Sequence, residues 1–185
     1  MSHEDRTRWD NRYADKGPAT ATGTFPQPLF SSHADHFPPR GLALELACGS
    51  GATAVCFAQR GMTVHGVDVS AVAIDQARHL ATNQGVDDNC RFDVFDLDNG
   101  LPESPLVDLL VCQNFRNPDL YVDMQSRLAP NGLLAIVILS EVDASPGRFR
   151  AQPGELVTAF AEMNTLCAGE ADGRAWLLAR KQSSD

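Results

Sequence analysis

An acid and two closely spaced glycines mark the end of an apolar run and the start of a helix in Ala43-Leu44-Glu45-Leu46-Ala47-Cys48-Gly49-Ser50-Gly51. Glycine at 49 and 51 permits a sharp turn and lets a ligand approach the backbone where a Cβ would stand. Phosphate loops offer bare N–H groups to an anion at a helix N-terminus, and a carboxylate at Glu45 would repel that anion. The loop therefore favours a cationic ligand. Met62-Thr63-Val64-His65-Gly66-Val67-Asp68-Val69 reads as a second buried strand ending in Asp68, with Ser70 as N-cap of the next helix. An acid at the tip of the second strand, about 20 residues after the glycines, is where folds of this kind hydrogen-bond ribose hydroxyls. Two acids and a glycine turn fit an adenosine carrying a positively charged tail.

At these residues the chain resembles the class I S-adenosylmethionine-dependent methyltransferases. The resemblance runs from about Leu42 to Arg180 and is carried most strongly by Glu45 to Gly51 joined to Val67-Asp68-Val69-Ser70. It implies that Glu45, Ala47, Cys48, Gly49, Ser50 and Gly51 hold the methionine end of S-adenosylmethionine, that Asp68 with Val69 binds the ribose, and that an acid after the third strand meets the adenine. Phe92-Asp93-Val94-Phe95-Asp96-Leu97 supplies that acid, with Asp96 favoured by spacing over Asp93 and Asp98 and with Leu97 as its apolar neighbour. Within the class the chain is similar to the small tellurite-resistance and thiopurine-type enzymes, through Trp9-Asp10-Asn11-Arg12-Tyr13 and Phe149-Arg150-Ala151-Gln152-Pro153-Gly154-Glu155-Leu156.

The elements that must position these residues alternate. Strands are expected at 42–47, 62–67, 90–95, 106–112 and 133–139, with helices at 52–60, 70–84 and 118–128 between them and the turn Pro130-Asn131-Gly132 before the fifth strand. Such alternation predicts a parallel sheet with helices on both faces and right-handed crossovers. After a helix at 154–162, Met163 to Gly169 and Ala175 to Ala179 form a hairpin around Ala171-Asp172-Gly173, which brings in one antiparallel strand. The expected fold is thus α/β: a single-domain Rossmann-like methyltransferase fold on a mostly parallel seven-stranded sheet. A helix over Glu4 to Asp15, a mobile loop from Gly17 to Pro28 and a helix from Leu29 to Phe37, stopped by Pro38-Pro39, precede it. Residues 1–40 are therefore expected as a helical lid segment and 41–185 as the cofactor-binding domain.

Ligands of open sheets bind at the carboxyl ends of strands. Cys112, Gln113 and Asn114 share that level with Glu45, Asp68 and Asp96, and Cys112 and Gln113 are added to the cofactor set. Asn114, Phe115, Arg116 and Arg150 are candidates for the acceptor side, where an arginine would suit an anion. Trp9 and Tyr13, four apart on one helical face, are expected to close over the acceptor. The Asn-Pro-Pro-aromatic run of amino-methylating enzymes is missing after the fourth strand, which argues against nucleobase and protein-amide acceptors. The expected activity is methyl transfer to a small-molecule acceptor such as a thiol, an oxyanion or a metalloid species, with S-adenosylhomocysteine as product. Two other readings compete: a non-catalytic binder of the cofactor, and a nicotinamide-dependent oxidoreductase, since Gly49-x-Gly51-x-x-Ala54 also satisfies the dinucleotide fingerprint.

Bulk properties set the remaining bounds. A chain of 185 residues is long enough to bury a core without staples. Its net charge of −9 and pI near 4.9 oppose a polyanionic substrate, so nucleic acid is not expected as a partner. The five cysteines are odd in number, widely spaced and read as buried free thiols, and the five histidines show no metal-ligand spacing. No signal-like start and no long apolar span are seen, so a cytoplasmic protein, a monomer or homodimer without membrane contact, is expected.

Overall fold

Runs of five to twelve residues form the strands, the central ones rich in Val, Ile and Leu. The computed structural model describes residues 3–20 and 28–183. The described elements are α1 (His3–Lys16), β1 (Gly41–Leu46), α2 (Ala52–Gln59), β2 (Met62–Asp68), α3 (Ala71–Asn83), β3 (Cys90–Val94), β4 (Val107–Gln113), α4 (Tyr121–Arg127), β5 (Leu128–Leu139), α5 (Glu155–Ala159), β6 (Asn164–Ala171) and β7 (Arg174–Arg180). Seven strands follow the order β3-β2-β1-β4-β5-β7-β6. β1, β2 and β3 pair in parallel, as do β4 and β5, whereas β7 runs antiparallel to both β5 and β6. The expected fold is the observed one, including the closing hairpin.

The chain divides into two units, residues 3–20 with 39–103 and residues 28–38 with 104–183. In the first, α2 and α3 pack on β2 and β3, and α1 packs on α3. Leu44, Leu46, Phe57, Met62, Val67, Ile74 and Ala77 are almost wholly buried there. In the second, α4 lies against β4 and β5 and α5 against β7, over a core of Leu109, Leu110, Met124, Leu128, Leu133, Leu134 and Phe160. Among the described residues no helix is long and apolar enough to cross a membrane.

Five local expectations change. Residues 28–36 form a 3₁₀ helix kinked at His33 rather than an α-helix. Pro130-Asn131-Gly132 does not precede the fifth strand but lies within β5, as an irregularity between the pairings Val107↔Leu128 and Leu109↔Leu133, with Asn131 left-handed. The helix expected at 118–128 begins as a 3₁₀ turn over Pro118–Leu120, and the one at 154–162 shrinks to α5 between left-handed Gly154 and Phe160. Three of the cysteines, Cys56, Cys90 and Cys167, are only partly buried. The loop expected to be mobile has residues 21–27 outside the described residues.

Candidate cofactor site

The first unit gathers Glu45, the glycine loop, Asp68 and Asp96, each at or just past the end of a strand. β1 ends at Leu46, and the backbone enters the left-handed region at Ala47 (φ 52°), Gly49 (φ 54°) and Gly51 (φ 77°) before α2 starts. The Cys48 N–H donates to the Val67 carbonyl, which ties the loop to β2. Asp68 then closes the arrangement. Its Oδ2 accepts from the Gly49 N–H and its Oδ1 from the Ser70 N–H, both at 2.9 Å, so one buried carboxylate fixes the glycine loop and the start of α3 together. Burial raises the Asp68 pKa, and the N–H donors of Ser70, Gly49 and Val69 pull the other way.

Glu45 is 4% exposed, and its Oε2 is buried without a hydrogen-bond partner. Burial is the main reason its pKa is pushed up from 4.5 to about 8; hydrogen bonds from the Ala54 N–H and the Thr53 side chain oppose the rise, and Asp68 adds to it. Asp96 opens a 3₁₀ turn over Leu97–Asn99, its Oδ1 accepting from the Asp98 N–H at 3.0 Å. Of the alternatives, Asp93 is engaged by His65 Nε2 at 2.9 Å and Arg91 Nε at 2.7 Å, and Asp98 is exposed. Cys48 and Ser50 are buried, as are Val69 and Leu97. Burial also raises the Cys48 thiol well above its ordinary pKa, which removes it as a thiolate nucleophile.

The two glycines do different things. A Cβ on Gly49 would stand 2.7 Å from the Tyr13 hydroxyl, so that position opens toward α1. A Cβ on Gly51 would stand 2.7 Å from the Ala77 Cβ and 3.1 Å from the Phe92 ring. The second glycine is needed for packing α3 and β3, a requirement that the sequence reading did not state.

α1 brings Tyr13, a candidate from the sequence, together with Asp10 and Arg6, which the sequence reading did not name as site residues. Tyr13 points at Gly49, and burial first, then Asp68, raises its pKa, so the phenol keeps its proton. Asp10 Oδ1 accepts from Ser70 Oγ at 2.6 Å and from the Val72 N–H at 3.3 Å. Arg6 Nη2 lies 3.3 Å from Asp96 Oδ2. Positions 6, 10 and 13 follow the i, i+4, i+7 spacing of one helical face, a signal that was present in the sequence. Trp9 lies beside Tyr13 with the rings tilted and their centroids 6.1 Å apart, and the Arg12 guanidinium lies 5.1 Å from the Trp9 ring centroid.

The second unit holds the other candidates. Cys112 is buried at the end of β4, and its thiol donates to the Phe115 carbonyl. Gln113 is the last residue of β4, and Asn114 after it is left-handed (φ 56°), its N–H donating to the Val137 carbonyl at 2.8 Å. Arg116 is not left open for an anion. Its Nε and Nη2 contact the two Glu155 oxygens at 2.7 and 2.6 Å, and Tyr121 donates to Glu155 Oε1 at 2.8 Å. Burial opposes ionisation of Glu155, but these donors outweigh it and hold its carboxyl below the usual range. Arg150 Nη1 donates to the carbonyls of Ser140 and Gly173, tying the segment after β5 to the hairpin turn. Glu155 and Tyr121 were missed because a partner 39 residues away leaves no local pattern.

Residues 43–132 match the family described as methyltransferase domain. The curated 2-heptyl-1-hydroxyquinolin-4(1H)-one methyltransferase of Mycobacteroides abscessus is 36% identical over 74 residues, 40% of this chain and 32% of that protein. The match thus spans about a third of that relative's length. Among solved structures, TehB from Haemophilus influenzae aligns with a TM-score of 0.75 at 18% identity, covering 94% of this chain and 67% of that one. Magnesium protoporphyrin IX methyltransferase (ChlM) from Synechocystis PCC 6803, with bound SAH, aligns with a TM-score of 0.71 at 15% identity, covering 97% and 98%. The fold is shared with these solved structures, and the stretch from 43 to 132 that carries the glycine loop and the acids is the part that matches the methyltransferase-domain family.

Proposed function

We propose that the chain is an S-adenosylmethionine-dependent methyltransferase with a small-molecule acceptor. The observation that carries the reading is the pair of buried acids at neighbouring strand ends: Asp68 clamped by Gly49 and Ser70, and Glu45 with one oxygen enclosed and unpartnered. Asp68 would hold a ribose in either ligand, but a dinucleotide would bring its pyrophosphate against Glu45, whereas an ammonium-bearing ligand gives the unpartnered oxygen a donor. The residues therefore fit the cofactor. Bound S-adenosylmethionine would supply a methyl group on a sulfonium whose leaving thioether is neutral.

The chain's part is holding and exclusion. Glu45 and the loop through Gly49 hold the methionine end, Asp68 the ribose and Asp96 the adenine, with Val69 and Leu97 as apolar neighbours. Tyr13, protonated above Gly49, offers a hydrogen-bond donor and not a base. In-line transfer then depends on proximity and on keeping water out. With Arg116 and Arg150 engaged in structural contacts, a soft or weakly charged acceptor such as a thiol, a metalloid species or an acidic hydroxyl suits the chain better than a strongly anionic one. The relative named for a hydroxyquinolinone is consistent with a small acceptor. Asn114, Phe115 and Trp9 remain the acceptor-side candidates.

Titration calorimetry with S-adenosylhomocysteine and with NAD tests the cofactor, and product formation over a panel of thiols, metalloid oxyanions and N-hydroxy heteroaromatics tests the acceptor. Binding of the nucleoside thioether and not of NAD, with turnover on one class, is the expected result. Binding of NAD alone would overturn the reading, and tight cofactor binding with no turnover over the whole panel would leave a non-catalytic binder.

A further inference from the structure

Three side chains on one face of α1 reach the three segments assigned to the cofactor. Tyr13 covers the glycine loop, Asp10 meets the start of α3 beside Asp68, and Arg6 meets Asp96. Gln76 Nε2 donates to the Tyr13 carbonyl at 2.9 Å and fixes the end of the helix on α3. We propose that α1 supplies two positioning residues for cofactor recognition, Asp10 acting on the ribose acid Asp68 through Ser70, and Arg6 acting on the adenine acid Asp96. The proposal rests on the cofactor reading above.

Asp10 shares in capping α3 through the Val72 N–H at 3.3 Å, but its shorter bond is to the Ser70 hydroxyl. Ser70 Oγ already accepts from the Ala73 N–H at 3.1 Å and caps α3 without help. What its buried hydroxyl lacks without Asp10 is an acceptor for its own proton, and the 2.6 Å contact supplies one. The same residue donates its backbone N–H to Asp68 Oδ1, so fixing Ser70 fixes the carboxylate that faces the ribose. The arrangement sets a second carboxylate close to Asp68, an unfavourable neighbour for a buried acid. The positive end of α3 and the donors of Ser70 and Val72 offset that cost, whereas helix stability by itself would be served by a neutral acceptor.

Arg6 is half exposed, whereas Asp96 is 7% exposed. An ion pair with one solvated partner contributes little to stability. It does help set the plane of the Asp96 carboxylate: Oδ2 takes the guanidinium and Oδ1 the Asp98 N–H. Orientation toward the adenine amine is what this pair provides.

The test compares affinities of the parent, Arg6→Ala, Asp10→Ala and Asp10→Asn for S-adenosylhomocysteine, for its hypoxanthine analogue and for its 2′-deoxy analogue. Asp10→Ala should weaken S-adenosylhomocysteine by roughly tenfold, the usual scale for a hydrogen bond to a charged group, and should narrow the preference for ribose over deoxyribose while leaving base preference intact. Asp10→Asn, which keeps the accepting oxygen, should recover most of the loss. Arg6→Ala should narrow the preference for adenine over hypoxanthine and leave sugar preference alone. Ser70→Ala should reproduce Asp10→Ala and add nothing to it, and it carries the sugar comparison if Asp10→Ala does not fold. Equal losses for all three ligands, or no change in either preference, would overturn the proposal. A parent that binds none of the three instead removes the cofactor reading on which it stands.

Discussion

Glu45 is an acid whose surroundings keep it protonated near neutral pH, and this has consequences that can be measured. Burial raises its folded pKa to about 8, well above the 4.5 of an ordinary glutamate. Between those values the folded chain holds a proton that the unfolded chain has released. Stability contributed here is therefore present below about pH 4.5 and is lost as pH rises toward 8. Glu45→Gln cannot ionise, so its unfolding free energy should fall less across that window and should exceed the parent's above pH 8 by a few kcal/mol at most. Urea unfolding at several pH values checks this; parallel profiles for the two proteins would mean that Glu45 ionises normally. A cationic group beside Glu45 would favour the carboxylate, so binding of S-adenosylhomocysteine near pH 7 should release a proton. Calorimetric heats in buffers of different ionisation enthalpy measure it, and Glu45→Gln should abolish it. Asp68 needs gentler probing: Asp68→Ala would strand the buried N–H groups of Gly49 and Ser70 at about 1–3 kcal/mol each, so loss of binding would be mixed with loss of fold.

At the level of elements, Gly51 shows how a motif residue can serve packing. A methyl group there would meet Ala77 and the Phe92 ring, and the backbone is left-handed. Gly51→Ala should therefore lower apo stability by about 1–3 kcal/mol through overpacking and strain, visible as a drop in the denaturation midpoint without ligand. An unchanged midpoint with lost binding would show that Gly51 serves ligand clearance and not packing. That packing requirement marks the limit of what was legible. The strand-helix alternation, the acids at strand ends and the closing hairpin were readable because each is a local pattern of period and punctuation. The irregularity inside β5 was not, since Pro130-Asn131-Gly132 carries the same turn signal whether the strand starts after it or continues through it. Nor were the contacts of Arg116 and Arg150, whose partners are set by the packing of α5 and the hairpin. Gly169 shows the same dependence on context: it looks like a strand breaker, yet Trp176, its partner across β6 and β7, lies over the space its side chain would fill.

For the molecule as a whole the governing quantity is charge. A net charge of −9 sets up a negative potential that reaches beyond any single contact. S-adenosylmethionine carries one net positive charge near neutral pH, from its sulfonium and ammonium against one carboxylate, and S-adenosylhomocysteine carries none. The two share every hydrogen-bonding group that Glu45, Asp68 and Asp96 would meet. Long-range attraction should then favour the substrate form over the product at low ionic strength, and salt should erase that part of the preference, because screening shortens the reach of exposed charges to about 10 Å at 0.1 M. Raising salt from low millimolar to 0.5 M should weaken S-adenosylmethionine by roughly two- to fivefold while changing S-adenosylhomocysteine much less. Competition titrations across that range read the ratio of the two dissociation constants directly. A ratio that does not move with salt would show that the acids act only at contact range, leaving discrimination between substrate and product to the sulfonium's immediate neighbours. A ratio that moves as expected would mean that the acidic surface itself promotes product exchange at low salt.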